Sequence, residues 1–264
     1  MERFALAGEY LFALRRDQRV VAALPPEAKP LTQDEAYRAQ EHLVEKMLAR
    51  VGGKVIGYKA AATNEVAQKQ LQVGGPFLGR LLSASTHRSP ATVPSGNFTV
   101  RIVEAEFGFE IGADVPNRDE PYTRETIAEF VATVIPAIEI VDHRFENWTA
   151  VGAESLIADN AIHGAWIEGE PIADWRGTDL SAQAVKVSVN GQLIQTGSGA
   201  AVLGHPLNVV AWIANQLPRL GLQLRRGDKL TTGTTCPVYP ASPGDRVVAD
   251  FGRFGCVAVH FTRP

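Results

Sequence analysis

Residues 103–111, "VEAEFGFEI", alternate strictly between apolar side chains and positions that are acidic or glycine. In a β-strand, successive side chains point to opposite faces of the sheet. The alternation therefore predicts a long strand with Glu104, Glu106 and Glu110 on one face and apolar residues on the other. The acidic face either meets solvent, as in many amphipathic strands, or is directed at a cation.

The rest of the chain mixes strand-like and helical segments in no regular order. Strand signals are "KVIGYKAA", "AIEIVDHRF", a hairpin around Asn190-Gly191 and most of residues 224–262. Helical signals are "NEVAQKQLQV", "HPLNVVAWIANQLPRLG" and "RETIAEFVATVI", the last of which we expect to end at Pro136. This order argues against a doubly wound parallel sheet. It predicts an α+β fold with a compact, strongly twisted or barrel-like sheet.

The first 52 residues are predicted to be helical. Thr32 can cap a helix, Glu35 stands three residues later as in a capping box, and Gly52-Gly53 ends the segment. A proline-rich connector, "ALPPEAKP", precedes this helix. We expect a helical N-terminal region over 1–52 and an α+β domain over 53–264, which would hold any catalytic site.

Composition and charge indicate which kinds of molecule the protein binds and in which cellular compartment it is found. The 264 residues carry a formal net charge of −3, which gives no electrostatic reason to expect binding to nucleic acid or to an anionic membrane. No run of 18 apolar residues is present, and Glu9, Arg15 and Arg16 interrupt the apolar positions near the N-terminus. We therefore expect a cytoplasmic protein whose cysteines, Cys236 and Cys256, are free thiols.

The acidic residues are candidates for a metal site. Glu104 and Glu106 are expected about 7 Å apart at their Cα atoms, so their carboxylates repel unless a lysine or a cation compensates. Glu139 lies in the apolar run "PAIEIV", where a buried carboxylate needs an arginine partner, such as Arg144, or a metal. Mg²⁺ and Mn²⁺ both prefer such oxygen ligands. Spacing alone leaves the solvated face and the metal site open.

Other polar residues have structural alternatives of similar weight. Lys59 follows an apolar strand and points either into a cleft or into solvent. Asp159 and Asn160 form a polar pair in "LIADNAIHG", as a turn, a helix cap or a pocket wall. His163 and His205 show no spacing typical of zinc ligands, which favours surface or core roles.

Two further patterns bear on catalysis. The segment "TTGTTCP", residues 231–237, offers hydroxyls and amides that can hold a carboxylate, or it is a plain turn. No G-x-S-x-G elbow is present, so serine hydrolase chemistry has no support.

Taken together, several motifs resemble the 2-keto-4-pentenoate hydratase family, which includes 2-oxohept-3-ene-1,7-dioate hydratases and 4-oxalocrotonate decarboxylases within the fumarylacetoacetate hydrolase superfamily. The resemblance runs from about residue 30 to the C-terminus. The motifs that carry it are "AYRAQ", "IGYK", "EAEFGFEIGADVP", "PAIEIVDHRFENW", "IADNA", "GSGAAVLGHPLNVVAWIANQL" and "GDKLTTGTTCPVYPASPGDRVVADFG".

This resemblance implies a function and a set of site residues. Those residues are Glu104, Glu106 and Glu139 as ligands of Mg²⁺ or Mn²⁺, and Lys59, Asp159 and Asn160 as catalytic residues, the last two at the pocket wall. The fold that the resemblance implies is a mixed, strongly twisted β-roll or barrel-like sheet with a helical N-terminal part. It implies a homo-oligomeric lyase that hydrates a 2-hydroxydienoate, through its 2-oxo-3-enoate form, to a 4-hydroxy-2-oxo acid in aromatic-compound degradation. The alternatives are decarboxylation of a 2-oxo-3-enedioate, carbon–carbon hydrolysis of an acylpyruvate, and a non-catalytic partner subunit.

The sequence departs from the family pattern at three places. Near residue 76, "GPFLGRL" lacks the aspartate that many members carry before the aromatic residue. After Lys59 the chain continues "AAATN" rather than with a glycine-containing segment, and His163 stands where members often have a small or hydroxyl residue. These departures imply a pocket of different shape and chemistry.

Overall fold

The computed structural model describes residues 2–263, which form helices and strands in the mixed order expected. The α-helices are α1 Arg3–Arg16, α2 Gln33–Val51, α3 Glu65–Leu71, α4 Arg124–Ile127, α5 Ala153–Ala158 and α6 Pro206–Gln216. The strands are β1 Val55–Ala61, β2 Phe77–Leu82, β3 Thr86–Arg88, β4 Ala91–Pro94, β5 Ile102–Ile111, β6 Val131–Val141, β7 His163–Glu168, β8 Ala184–Val189, β9 Gln192–Ser198, β10 Lys229–Thr234, β11 Tyr239–Pro240, β12 Arg246–Asp250 and β13 Cys256–Thr262.

The start of α2 confirms the predicted cap. The Thr32 hydroxyl accepts a hydrogen bond from the Glu35 amide at 3.2 Å, and the Glu35 carboxylate accepts one from the Leu31 amide at 2.8 Å. Two otherwise unpaired amide donors are thereby satisfied. The helix ends at Gly52, whose φ of 77° lies in the left-handed region that glycine adopts without strain.

An eight-stranded mixed sheet has β5 near its centre. Its order is β2-β1-β10-β5-β6-β7-β3, with β11 pairing against β5. β5 and β6 are antiparallel, and their register sets Glu104 directly opposite Glu139. On the other side of β5, β10 runs antiparallel with an irregularity between Thr231 and Thr234. β5 is therefore flanked on both sides, with Glu139 of β6 opposite Glu104 and Thr234 of β10 opposite Glu106.

The second sheet has five strands in the order β4-β13-β12-β8-β9. The predicted hairpin at Asn190-Gly191 joins β8 to β9, and both turn residues have positive φ, at 51° and 83°. Apolar side chains from both sheets and α6 form the main core, whereas α1, α2 and α5 contribute to a second core cluster. Curved mixed sheets with N-terminal helices confirm the predicted α+β class.

The helix predicted for "RETIAEFVATVI" is wrong over most of its length. α4 covers only Arg124–Ile127, a 3₁₀ turn follows, and β6 begins at Val131 and continues through Pro136. The β-branched residues of "VATVI" pack well in a buried strand. Pro136 is tolerated in this strand because it faces Gly169, just beyond the end of β7. Its carbonyl accepts a hydrogen bond from the Gly169 amide, and the N–H that proline lacks would point to the same place, where β7 has already ended.

Across residues 2–263, every helix is too short or too polar to cross a lipid bilayer. Cys236 is a buried free thiol and Cys256 is an exposed one.

Candidate active site and metal centre

Three carboxylates meet where β5 and β6 pair. Oxygen atoms of Glu104, Glu106 and Glu139 lie within 4.8 Å of one another. Glu106 and Glu139 are fully buried, whereas Glu104 is partly exposed and lines a cavity. Glu110 shares the same face of β5 but stands opposite Lys229, outside the cluster. The acidic face is thus a buried cluster at one end and an ordinary strand face at the other.

Two buried carboxylate oxygens of this cluster make no hydrogen bond to any described residue. Glu106 Oε2 accepts hydrogen bonds from the Thr231 hydroxyl and, at 2.7 Å, from the Gly233 amide. Glu106 Oε1 and Glu139 Oε2 are buried and have no hydrogen-bond partner among residues 2–263. An unpaired buried carboxylate oxygen is costly unless a cation compensates it. The two orphaned oxygens and the oxygen-only donor set fit a hard divalent cation.

The strand irregularity in β10 creates one of these contacts. Gly233 has a φ of 89°, and a Cβ at this position would lie 2.0 Å from the Thr63 hydroxyl oxygen. Glycine alone therefore fits here, and its amide turns toward Glu106 rather than into the sheet ladder.

Burial and mutual repulsion shift the three carboxyl groups differently. Burial, followed by repulsion from Glu139 and Glu104, raises the pKa of Glu106 well above its usual value. Burial and Glu139 likewise raise the pKa of Glu104. For Glu139, burial is outweighed by Lys59 and His163, which lower its pKa. With all three ionised, one lysine leaves a net charge of −2, which a divalent cation would balance.

Lys59 is the cationic group of the cluster. Its side chain is 2% exposed, and its Nζ lies 2.9 Å from Glu139 Oε1 and donates to the Ala161 carbonyl at 2.9 Å. Burial alone would lower the pKa of Lys59, but Glu139, Glu104 and Glu106 together raise it. Lys59 also lines the cavity. It is a charged hydrogen-bond donor at the inner end of that cavity, as the cleft alternative predicts.

The carbonyl that receives this bond belongs to a strained turn. Asn160, Ala161 and Ile162 have φ values of 53°, 49° and 55°, a left-handed conformation that L-residues rarely adopt in succession. The Asn160 side chain anchors the turn to β2, because it accepts from the Arg80 amide at 2.7 Å and donates to the Arg80 carbonyl at 3.0 Å. Strain maintained by such contacts is typical of functional sites.

Asp159 anchors the same turn from the other side. Its carboxylate accepts from Arg15 Nε of α1 at 2.7 Å and from the Arg144 amide at 3.2 Å. Burial raises the pKa of Asp159 even though Arg15 and Arg144 lie beside it. Neither Asp159 nor Asn160 is among the described residues that line the cavity, whereas Ile162 is. The two residues lie behind the pocket wall and support it.

Replacing Asp159 with alanine is expected to lower the free energy of unfolding by about 3 kcal/mol, the lower end for a broken buried ion pair, because Arg15, whose side chain is 11% exposed, loses its charged partner. Urea unfolding measures the change. The matched control is Asp17→Ala, which breaks the exposed pair with Arg16 and should hardly move the urea midpoint. Equal effects of the two substitutions would show that the Arg15–Asp159 pair does not anchor the turn.

His163 is the site residue that sequence reasoning missed. Its Nδ1 lies 2.8 Å from Glu139 Oε1, its Nε2 lies 3.5 Å from the Ser85 hydroxyl, and burial lowers its pKa. Of the surface and core roles expected for His163, the structure gives the core role, but the contact with Glu139 was not predicted, because it joins neighbouring strands β6 and β7. The alternative partner for Glu139, Arg144, instead pairs with Asp142. His205 has a structural role, since its Nδ1 accepts from the Leu207 amide at the start of α6.

The threonine segment contributes structure rather than free donors. Its four hydroxyls already donate to acceptors of the protein: Thr231 to Glu106, Thr232 to the Phe107 carbonyl, Thr234 to the Cys236 carbonyl and Thr235 to the Ala105 carbonyl. They hold β10 and the following turn against β5.

The cavity beside the cluster has a volume of about 580 Å³. Lys59 and Glu104 are the two charged residues among the described ones that line it. Most of the remaining wall is apolar and includes Leu71, Phe77 and Trp148. Phe77 follows the position of the missing family aspartate, so no acidic side chain enters the cavity from that loop.

Several known proteins are similar to this chain in sequence. Residues 53–262 match the family model described as fumarylacetoacetate (FAA) hydrolase C-terminal. The chain is 32% identical over 255 residues to a 2-keto-4-pentenoate hydratase of Paraburkholderia xenovorans (strain LB400), covering 97% of this chain and 93% of that protein. It is 31% identical over 258 residues to a 2-hydroxyhexa-2,4-dienoate hydratase of Comamonas testosteroni, covering 97% and 96%.

A solved structure agrees with the sequence relationship. The 4-oxalocrotonate decarboxylase from Pseudomonas putida G7, complexed with magnesium and adipate, superimposes with a TM-score of 0.91 at 27% identity, covering 98% of this chain and 97% of that one. These similarities confirm the resemblance inferred from the motifs. This chain belongs to the fumarylacetoacetate hydrolase C-terminal family.

Proposed function

We propose that this protein is a divalent-metal-dependent hydro-lyase of aromatic-compound degradation. It would take a 2-hydroxydienoate, through its 2-oxo-3-enoate form, and add water to give a 4-hydroxy-2-oxo acid. The observation that carries the proposal is the buried cluster of Glu104, Glu106 and Glu139, with two orphaned oxygens, beside the charged Lys59 at the end of a cavity. The full-length similarity to two dienoate hydratases supports this choice of reaction.

Glu104, Glu106 and Glu139 would hold the cation, for which Mg²⁺ or Mn²⁺ is the proposed identity. Both ions favour carboxylate oxygens, and the related decarboxylase structure contains magnesium. When bound, such an ion supplies Lewis-acid stabilisation of negative charge on the oxygens of a 2-oxo acid. His163 and the Gly233 amide hold Glu139 and Glu106 in place, as outer partners of metal ligands do.

Lys59 would act on the substrate itself. Because Glu139, Glu104 and Glu106 raise its pKa, Lys59 stays protonated, and it lines the cavity beside the carboxylate cluster. A preorganised cation stabilises negative charge that develops on the enol oxygen, and it can donate a proton to that oxygen or to the adjacent carbon. Asp159 and Asn160 would position the turn that bonds to Lys59 rather than touch the substrate.

Decarboxylation of a 2-oxo-3-enedioate is the second candidate, favoured by the close superposition on the decarboxylase. It needs the same stabilisation of an enolate, so the carboxylate cluster serves either reaction. A homo-oligomeric assembly is also part of the proposal, and sedimentation should then give a mass above the 28.5 kDa of one chain.

The test is an absorbance assay with freshly generated 2-hydroxypenta-2,4-dienoate, followed by mass identification of the product. Loss of the dienol absorbance with gain of one water is expected in Mg²⁺ or Mn²⁺ and should disappear after EDTA treatment. The matching assay uses a 2-oxo-3-enedioate and detects carbon dioxide. Release of carbon dioxide without hydration in the first assay would favour the second candidate. Hydration at an undiminished rate after EDTA would contradict the metal requirement.

A further inference from the structure

We propose that the outer part of the cavity, defined here as the tail chamber, selects substrates with an uncharged apolar tail and rejects those with a terminal carboxylate. The inference rests on the proposed function, because it takes the carboxylate cluster and Lys59 as the site for the 2-oxo acid head group. It names the substrate class as 2-hydroxydienoates that carry an alkyl or aryl group at the end remote from the acid.

The distribution of charge around the cavity is the first support. Among the described lining residues, the charged ones are Lys59 and Glu104, and both belong to the head-group end. The apolar members of the tail chamber come from several elements: Leu71, Phe77, Ile102, Val141, Trp148 and Ile162. A second carboxylate would enter this chamber without a cationic partner, and burial of an unpaired ionised carboxylate is strongly unfavourable.

Volume is the second support. An unsubstituted five-carbon dienoate has eight non-hydrogen atoms and occupies at most about 240 Å³, even if each atom takes the volume of a liquid water molecule. The cavity measures about 580 Å³, so such a substrate leaves much of it unfilled. An apolar tail that fills this space removes apolar surface from water on both sides, which improves binding about fourfold for each methylene.

The chamber wall includes one face of a capped helix and a stacked aromatic ring. Val66, Gln70 and Leu71 of α3 line it together, and α3 is capped by the Asn64 side chain, which accepts from the Ala67 amide at 2.8 Å. Trp148 also lines the cavity, and its ring stacks on His143 at a centroid distance of 5.6 Å and an interplanar angle of 22°. Apolar and aromatic side chains of this kind are typical of pockets that bind apolar groups.

The test measures calorimetric affinity of the Mg²⁺-loaded protein for three saturated 2-oxo acids, which have no carbon–carbon double bond to which water can be added. Pyruvate presents the head group alone, 2-oxohexanoate adds an apolar tail, and 2-oxoadipate ends in a carboxylate where 2-oxohexanoate ends in a methyl group. We expect 2-oxohexanoate to bind more than tenfold more tightly than pyruvate and more than tenfold more tightly than 2-oxoadipate. Equal or tighter binding of 2-oxoadipate, with pyruvate still bound, overturns the tail inference and leaves the proposed function intact. If none of the three binds in the presence of Mg²⁺, the proposed function fails and the inference fails with it.

A matched pair of variants at Gln70 tests the location of the chamber. Gln70 is exposed on α3 and lines the cavity, so substitution there is compatible with folding. Gln70→Arg supplies a cation and is expected to raise the affinity for 2-oxoadipate about tenfold relative to 2-oxohexanoate. Gln70→Leu is expected to keep the order of affinities of the unmodified protein. If Gln70→Arg leaves the ratio unchanged, this face of α3 does not meet the substrate tail.

Discussion

Replacing Glu106 with glutamine is expected to lower the affinity for Mg²⁺ or Mn²⁺ by more than about 100-fold, beyond the 10–100-fold loss typical of an outer partner of a metal ligand. The substitution keeps the shape of the side chain and removes one charge from a fully buried group. After the substitution, the Gly233 N–H, which donates to the Glu106 carboxylate, faces a neutral amide group. Calorimetric titration of the metal-free protein measures the change.

Glu110→Gln is the matched control for this experiment. Glu110 lies on the same face of the same strand, but it is partly exposed and stands opposite Lys229, away from the cluster. It should therefore retain the metal affinity of the unmodified protein. If Glu106→Gln binds the metal as tightly as the unmodified protein does, the acidic face of β5 is a strand surface that binds no cation.

Replacing Lys59 with methionine is expected to reduce turnover of the dienoate by about 10²–10⁴-fold, the range for loss of a positioned proton donor or charge-stabilising group. Methionine fills a similar volume in a site where the lysine side chain is 2% exposed. Metal affinity should not fall, because the substitution removes a cation that competes for Glu139 at 2.9 Å. Steady-state kinetics and metal titration of the same preparation separate the two effects.

Lys54→Met is the control for the lysine substitution. Lys54 is exposed just before β1 and belongs to no described contact of the cavity. It should turn over substrate at the rate of the unmodified protein. Full turnover by Lys59→Met would remove Lys59 from the mechanism, and a parallel loss of metal binding would show that the lysine supports the cluster rather than the reaction.

Local sequence pattern was sufficient for much of the framework. Strict alternation predicted β5, cap residues predicted the bounds of α2, and Asn190-Gly191 predicted the β8–β9 hairpin, since each depends on residues close in sequence. The error at 124–136 has a local cause as well. The polarity pattern of "RETIAEF" is typical of a helix, and the prediction extended this helix through "VATVI". In the structure "VATVI" is a strand between β5 and β7, because its burial there decides its conformation.

The candidate site depended on information that no local pattern contains. The alignment of Glu104 with Glu139 follows from strand register, which is set by packing of the whole sheet. The contacts of His163 with Glu139 and of Arg15 with Asp159 join residues 24 and 144 positions apart. Family resemblance selected Glu104, Glu106, Glu139 and Lys59 from the motifs, and the geometry brings these four together.

Anomalous diffraction from crystals grown with Mn²⁺ tests the central claim most directly. The account predicts one strong anomalous peak in each chain, between the carboxylates of Glu104, Glu106 and Glu139. A saturating concentration of Mn²⁺ that produces no peak among these carboxylates, or that produces peaks elsewhere in the chain alone, would contradict the assignment of this cluster as the metal centre.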